Sequence, residues 1–167
     1  MFQLKRLTRE GIERALEKVE RYRLLNEPWE AESIYLDVLQ VDPDNQEALV
    51  GLLLARTDQF SHDGSGALAQ AREVLPSIRD DYERAYYAGI ICERRAKALL
   101  DGAKLNAGSM AHSLLREARG WYEQAEQLRP PGNDDVLLRW NACARLVLRF
   151  PQVAAAPEER VEPYSDV

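Results

Sequence analysis

The chain of 167 residues carries a net charge of −6, with 30% charged and 46% apolar side chains. That composition excludes a disordered polypeptide, and the length gives a single domain with a sizeable core. Leu, Ala, Arg and Glu make up nearly half of the residues. Because all four favour helices, we expect an all-α fold. The acidic balance argues against binding to nucleic acid or to an anionic membrane, since both need clustered Lys and Arg.

The N-terminal segment MFQLKRLTREGIERALEKVERY is charged every few residues and lacks the apolar core of a secretory signal. The longest apolar run, residues 48–55, is far shorter than the ~20 residues that a spanning helix needs. We therefore expect no transmembrane segment and a cytoplasmic location. Cys92 and Cys143 lie far apart in helix-like segments, and we expect them to be buried rather than paired or bound to a metal.

A spacing of small, aromatic and small side chains recurs along the chain, followed by a proline. The two clear copies are Ala31, Tyr35, Val38 and Pro43, and Ala118, Tyr122, Ala125 and Pro130. A fainter copy has Ala67, Ala71 and Val74, with Arg79 in the place of the proline. In a helix this spacing keeps the first three residues on one face, and the proline falls just beyond the helix end.

This pattern resembles the tetratricopeptide repeat (TPR), a helix–turn–helix unit of about 34 residues. The resemblance is best over residues 31–55. Upstream, Ala15, Val19 and Tyr22 match the first helix of that repeat, Asn26 stands where the family has a turn glycine, and Pro28 opens the second helix. Over residues 1–150 the resemblance implies a solenoid of about seven antiparallel helices, forming three hairpins and a capping helix in a right-handed superhelix. The alternative is an irregular helical bundle whose spacings coincide by chance.

The third hairpin is expected to be extended. The two clear copies lie 87 residues apart, against about 68 for two regular repeats, and most of the extra residues fall between Ala67 and Ala118. This predicts long helices over residues 81–101 and 109–128, with Ser109 as a candidate cap. Asp44, three residues before Glu47, resembles a capping box.

The C-terminal part of the chain divides in two. Residues 134–149 carry apolar side chains at helical spacing and predict the seventh, capping helix, which a helical stack needs to cover its last apolar face. Residues 151–167 are rich in proline and charge, without a periodic apolar face, and predict a flexible acidic tail.

The sequence offers few groups for catalysis, and we expect no enzyme activity, cofactor or metal. His62 and His112 have no neighbours at metal-ligand spacing. The Gly/Ser segment 59–66 is not followed by the Lys-Ser or Lys-Thr pair of a phosphate-binding loop. As a calcium-binding loop it would place Gln70 at the position that requires Glu. We therefore interpret the segment as a long connection between helices. The pairs Asp80-Asp81 and Asp134-Asp135 precede predicted helices and are expected to cap them.

In the family that this chain resembles, the first helix of each hairpin lines a concave groove that holds peptides or helices of other proteins. The predicted groove residues are Leu16, Glu20, Arg23, Val50, Leu54, Thr57, Tyr86, Ile90, Glu93 and Lys97. The structural alternative is that Val50, Leu54 and Ile90 only pack against neighbouring helices. The run from Glu93 to Lys97 is the one local concentration of basic residues, and it either meets an acidic partner or is a solvated helix face.

Some family members hold the acidic tails of heat-shock chaperones through five groove positions. Those positions carry Leu16, Glu20, Gly51, Glu83 and Tyr87 here, and none agrees with the family pattern. The sequence therefore predicts a protein-interaction module for a different peptide or helix. The alternatives are a secretion or assembly chaperone with one dedicated client and, less favoured, an unrecognised enzyme. A homodimer through the extended third hairpin is compatible with each of them.

Overall fold

The computed structural model describes residues 3–62, 64–102 and 107–150, and within these ranges it contains seven α-helices and no strand. The helices are α1 (Ile12–Leu24), α2 (Pro28–Val41), α3 (Gln46–Thr57), α4 (Gly64–Val74), α5 (Asp81–Asp101), α6 (Ala107–Leu128) and α7 (Asp135–Arg149). The all-α prediction is confirmed for this part of the chain. None of the described helices combines the length and hydrophobicity needed to cross a bilayer. Residues 151–167, predicted as a flexible tail, lie outside the described residues.

The first two hairpins begin and end largely where their sequence signals lie. Asn26 has a left-handed backbone with φ of 59°, as its turn position predicts, and Pro28 is the first residue of α2. The predicted capping box at Asp44 is wrong. Asn45 caps α3, because its side-chain oxygen accepts a hydrogen bond from the Ala48 N–H at 2.9 Å, while Asp44 pairs with Arg79 at 3.1 Å.

The helices of the third hairpin are the longest, with 21 residues in α5 and 22 in α6, which confirms the predicted extension. Asp80 caps α5 as expected, accepting from the Glu83 N–H at 2.8 Å. Ser109 is not a cap, since α6 already begins at Ala107. Asp134 does not cap α7 either. The Asp135 N–H donates to the side chain of Asn133 at 3.0 Å, and Asp134 pairs with Arg129.

Each helix packs against the next one along the whole described chain. In addition, α1 contacts α3, and α3 contacts α5. The recurrent spacing is the buried face of the three even-numbered helices, with no member more than 5% exposed. These residues are Ala31, Tyr35 and Val38 in α2, Ala67, Ala71 and Val74 in α4, and Ala118, Tyr122 and Ala125 in α6. The weak central copy therefore packs like the two clear copies.

Two tyrosines of this pattern lie directly against glycines of a neighbouring helix. The ring of Tyr35 occupies the space that a Cβ at Gly51 of α3 would take, and the ring of Tyr122 does the same at Gly89 of α5. Because glycine has no side chain, the helix backbone and the aromatic ring can approach closely at both places. The core divides into two buried clusters, one centred on α1–α4 and one on α5–α7.

Candidate functional site

The ends of α1 and α3 are tied to the middle of α5 through one carboxylate. Asp58, directly after α3, accepts a hydrogen bond from Arg23 Nε of α1 at 3.1 Å. Its other oxygen pairs with Arg94 of α5, and Arg94 also donates to the hydroxyl of Thr57 at 2.8 Å. One acid thus holds two guanidinium groups from different helices, which ties α1, α3 and α5 to one another.

A second acid does the same between α5, α6 and α7. Glu93 of α5 is fully buried, with 0% of its surface exposed. The Tyr122 hydroxyl of α6 donates to Glu93 Oε2 at 2.7 Å, while Lys97 pairs with Oε1 and Arg139 of α7 reaches the same oxygen at 3.4 Å. Burying a carboxylate is costly, and these three donors offset that cost.

We call the side of the molecule that these contacts define the odd-helix face. It runs from α1 through α3 and α5 to α7 and carries the two clusters around Asp58 and Glu93. The four basic side chains of these two clusters, which we call the cation row, are Arg23, Arg94, Lys97 and Arg139. Since Glu93 and Arg94 are consecutive residues, the two clusters are neighbours along α5.

The first and third hairpins each pair a buried tyrosine of the second helix with a charged residue of the first. Burial raises the pKa of Tyr35, and the charge of Arg23 beside it partly opposes that rise. Burial also raises the pKa of Tyr122, and the neighbouring Glu93 carboxylate raises it further. Both hydroxyls therefore stay protonated and act as donors or neutral contacts at neutral pH.

Aromatic side chains extend the odd-helix face along α5. The rings of Tyr82 and Tyr86 stack at 5.9 Å between centroids, and Tyr86 meets Tyr87 edge-on at 5.3 Å. All three are half-buried, so part of each ring remains open to solvent. The side chain of Arg139 lies close to Tyr86, which joins the aromatic residues to the cation row. Such half-buried tyrosines offer apolar area with little loss of side-chain entropy on binding.

The ten predicted groove residues separate by burial. Leu16, Thr57, Ile90 and Glu93, which were predicted to line the groove, are 8%, 4%, 2% and 0% exposed and are therefore buried. Ile90 therefore fits the structural alternative, in which its side chain packs against neighbouring helices. The residues that keep exposed surface are Glu20, Arg23, Val50, Leu54, Tyr86 and Lys97. Val50 and Leu54 pack against the first core cluster and remain half-buried.

Sequence reasoning missed three residues that build this face: Asp58, Tyr122 in its polar role, and Arg139. The sequence identified Tyr122 only as a member of the recurrent apolar spacing. That spacing does not reveal the hydrogen-bond partner of the Tyr122 hydroxyl. Asp58 was hidden because it follows α3 in a polar connection. Arg139 lies on the predicted capping helix, four residues before the buried Cys143, and this spacing is a signal that could have placed it beside the third hairpin.

The candidate catalytic groups of the sequence do not come together. His62 is exposed and packs edge-on against Trp29, with ring centroids 5.2 Å apart, whereas His112 lies in α6. Cys92 and Cys143 are buried, as predicted, and burial raises the pKa of each thiol to about 12. Over residues 3–62, 64–102 and 107–150, no cluster of three or more His, Cys, Asp or Glu side chains could hold a metal.

The connection between α3 and α4 is shorter than predicted, because α4 already begins at Gly64. Gln59, which follows α3, is only 5% exposed and donates to Glu32 of α2 at 2.6 Å. Glu32 also pairs with Arg56 at 3.0 Å. The start of this connection is therefore held against the second helix.

A second surface feature is an apolar groove of about 560 Å³ between α4, α5 and α6. Its lining includes Leu68, Leu99, Met110 and Leu114, with Arg72 and Glu117 at 3.4 Å from each other. The groove lies on the side of α5 and α6 that meets α4.

Comparison with protein-family models, curated proteins and solved structures finds no match to this chain.

Proposed function

We propose that this chain is a non-enzymatic protein-interaction module, built as a TPR-like right-handed solenoid, that binds a peptide or partner helix on its odd-helix face. The repeated buried spacing in α2, α4 and α6 supports the solenoid. The order of helix contacts supports it too, since each helix packs on the next while α1 touches α3 and α3 touches α5. In such a stack the first helices of successive hairpins lie side by side and form one surface.

The observation that carries the binding function is the composition of the odd-helix face. Half-buried apolar side chains at Val50, Leu54 and Tyr86 lie beside charged groups held in place by the ion pairs of Asp58 and Glu93. Apolar contacts supply most of the affinity for a peptide, and fixed polar groups select its orientation. The face has both, and its polar groups are ordered before a partner arrives.

The test is selection of peptides from a displayed random library against the folded protein, followed by affinity measurement with two matched variants. Leu54→Arg places a charge on the odd-helix face at α3. Leu36→Arg makes the same change on α2, where Leu36 is 46% exposed. Because a partner would have to desolvate the new guanidinium, we expect Leu54→Arg to weaken binding about tenfold or more, and Leu36→Arg to leave it unchanged.

Circular dichroism and thermal unfolding of both variants establish that each is folded before binding is compared. Equal affinity of Leu54→Arg and wild type would place the binding surface elsewhere. Failure to select any saturable peptide ligand would contradict the proposed function as a whole.

A further inference from the structure

The last described helix, α7, packs against other helices on one side only. Val136 and Cys143 are each 1% exposed and mark the side that lies against α6. Arg139 reaches Glu93 of α5 from the adjoining side. Each of the helices α2 to α6 packs against the helix before it and the helix after it, whereas no helix follows α7 in the described part of the chain. The remaining side of α7 therefore forms the end of the described stack.

The open side of α7 carries a stripe of side chains at the spacing that paired helices use. The members of this stripe, which we call the α7 seam, are Leu137, Asn141, Ala144 and Leu148. They lie four, three and four residues apart, which keeps them on one line along the helix. Leu148 is 82% exposed, and Leu138 beside the seam is 65% exposed. Exposed leucines along one line mark a surface that gains stability when it is covered.

The charged residues of α7 are divided between its two ends. Asp134 and Asp135 lie at its beginning, whereas Arg145 and Arg149 lie near its end, and all four are exposed. Asp134 pairs with Arg129, yet its side chain is 65% exposed. Because a carboxylate accepts more than one donor, Asp134 can bind a second cation. The open side of α7 is therefore acidic where the helix begins and basic where it ends.

The neighbouring helix α6 repeats this division of charge. The pair of Arg129 with Asp134 and the hydrogen bond from Trp140 to Glu123 at 3.0 Å show that α6 and α7 run antiparallel. Residues earlier in α6 therefore lie beside residues later in α7. Beside the acidic half of α7, α6 contributes Glu123 and Glu126, and beside the basic half it contributes Arg116 and Arg119.

An antiparallel second copy of α7 matches this surface in shape and in charge. When Leu137 of one copy lies against Leu148 of the other, the smaller side chains of the seam meet between the two leucine pairs. In the same register, Arg149 lies within one turn of Asp134 of the other copy. A two-fold axis repeats each contact, so an acidic half meets a basic half twice. A parallel pair would instead set like charges against each other at both ends.

We propose that α7 pairs with α7 of a second copy in antiparallel orientation, which makes the protein a homodimer joined at the ends of two stacks. The contact lies on α7 and not on the extended third hairpin. The inference goes beyond the proposed function and does not depend on it, because Arg139, the member of the odd-helix face on α7, lies on the opposite side of that helix. Two such faces in one dimer bind a partner with two sites more tightly than one face does. Since each copy contributes a single helix, the interface is small, and we expect dissociation at micromolar concentrations.

The experiment is analytical ultracentrifugation of the full chain over a range from about 1 μM to about 1 mM. We expect the average mass to rise from that of a monomer toward that of a dimer. Leu148→Glu should raise the dissociation constant about tenfold or more, because it replaces an apolar contact with a charge opposite the acidic half of the other copy. Leu24→Glu, at the end of α1 and 86% exposed, is the matched control and should leave the dissociation constant unchanged.

Charge reversal tests the antiparallel orientation. Arg149→Glu or Asp134→Arg alone sets like charges against each other at both ends of the pair, and each should weaken self-association about fivefold or more. An equimolar mixture of the two variants restores opposite charges at both ends and should associate as strongly as wild type. Within the described chain, the side chain of Asp134 does not cap α7, so its substitution leaves the start of that helix intact.

A protein that stays monomeric over the whole range would overturn the inference, as would association of Leu148→Glu equal to that of wild type. A mixture that associates no better than its two components would exclude the antiparallel pairing and with it the inference. Unfolding curves of each variant show whether a loss of association reflects a loss of fold. Peptide binding at the odd-helix face is tested separately by Leu54→Arg, so the failure of one proposal is distinguishable from the failure of the other.

Discussion

Glu93 is the residue on which the third hairpin and α7 depend together. Its carboxylate is buried and receives donors from α5, α6 and α7. The family resemblance placed Glu93 in the groove, and its charged run was interpreted as a partner surface or a solvated helix face. Its burial follows from the tyrosine and the two cations that converge on it from distant parts of the chain, and a helical period carries no information about such long-range contacts.

At the residue scale, we predict that Glu93→Gln lowers the free energy of unfolding by about 1–3 kcal/mol. The amide keeps a partner for the Tyr122 hydroxyl but leaves Lys97 and Arg139 without their counter-charge. Urea unfolding measures the change. Glu73→Gln, an exposed position on α4, is the control and should stay within about 0.5 kcal/mol of wild type. Equal stability of both variants would mean that the ion pairs of Glu93 contribute nothing.

At the scale of the helices, the bounds of α5 were predictable because they carry signals that act locally. Asp80 offers a side-chain cap to the first turn of α5, and the chain leaves α5 at Gly102. The starts of α3 and α6 were misplaced for equally local reasons. Asp44 and Asn45 are adjacent residues that can both cap, and only the backbone conformation selects Asn45. Nothing in the composition of Ala107 and Gly108 signals that α6 begins before Ser109.

The close approach of helices at two glycines gives a prediction at this scale. Gly51→Ala and Gly89→Ala each place a Cβ into a tyrosine ring, and we expect each to lower stability by about 1–3 kcal/mol. Gly120→Ala in α6 has no atom near the added Cβ and should raise stability by about 0.5–1 kcal/mol, since alanine favours helix. Urea midpoints of the three variants check this. A destabilised Gly120→Ala or a neutral Gly89→Ala would contradict the described packing.

At the scale of the whole molecule, composition predicted the all-α fold, because Leu, Ala, Arg and Glu favour helices. The distance between the two clear copies of the spacing predicted the extended hairpin. The sequence predicted the composition of the candidate site only in part. Arg23, Leu54 and Tyr86 were identified from their positions in the repeat, and they keep exposed surface. The ion pairs of Asp58 with Arg23 and Arg94 could not be predicted from local sequence patterns, because they join residues 35 and 36 positions apart.

The most direct test of the account is the hydrogen-exchange footprint of a library-selected peptide bound to the full chain. We predict that protection appears in α1, α3 and α5 and decreases in the Leu54→Arg variant, because those helices carry the exposed groove residues of the odd-helix face. Protection confined to α2, α4 and α6, or to the apolar groove between α4, α5 and α6, would contradict the claim that the odd-numbered helices form the binding surface.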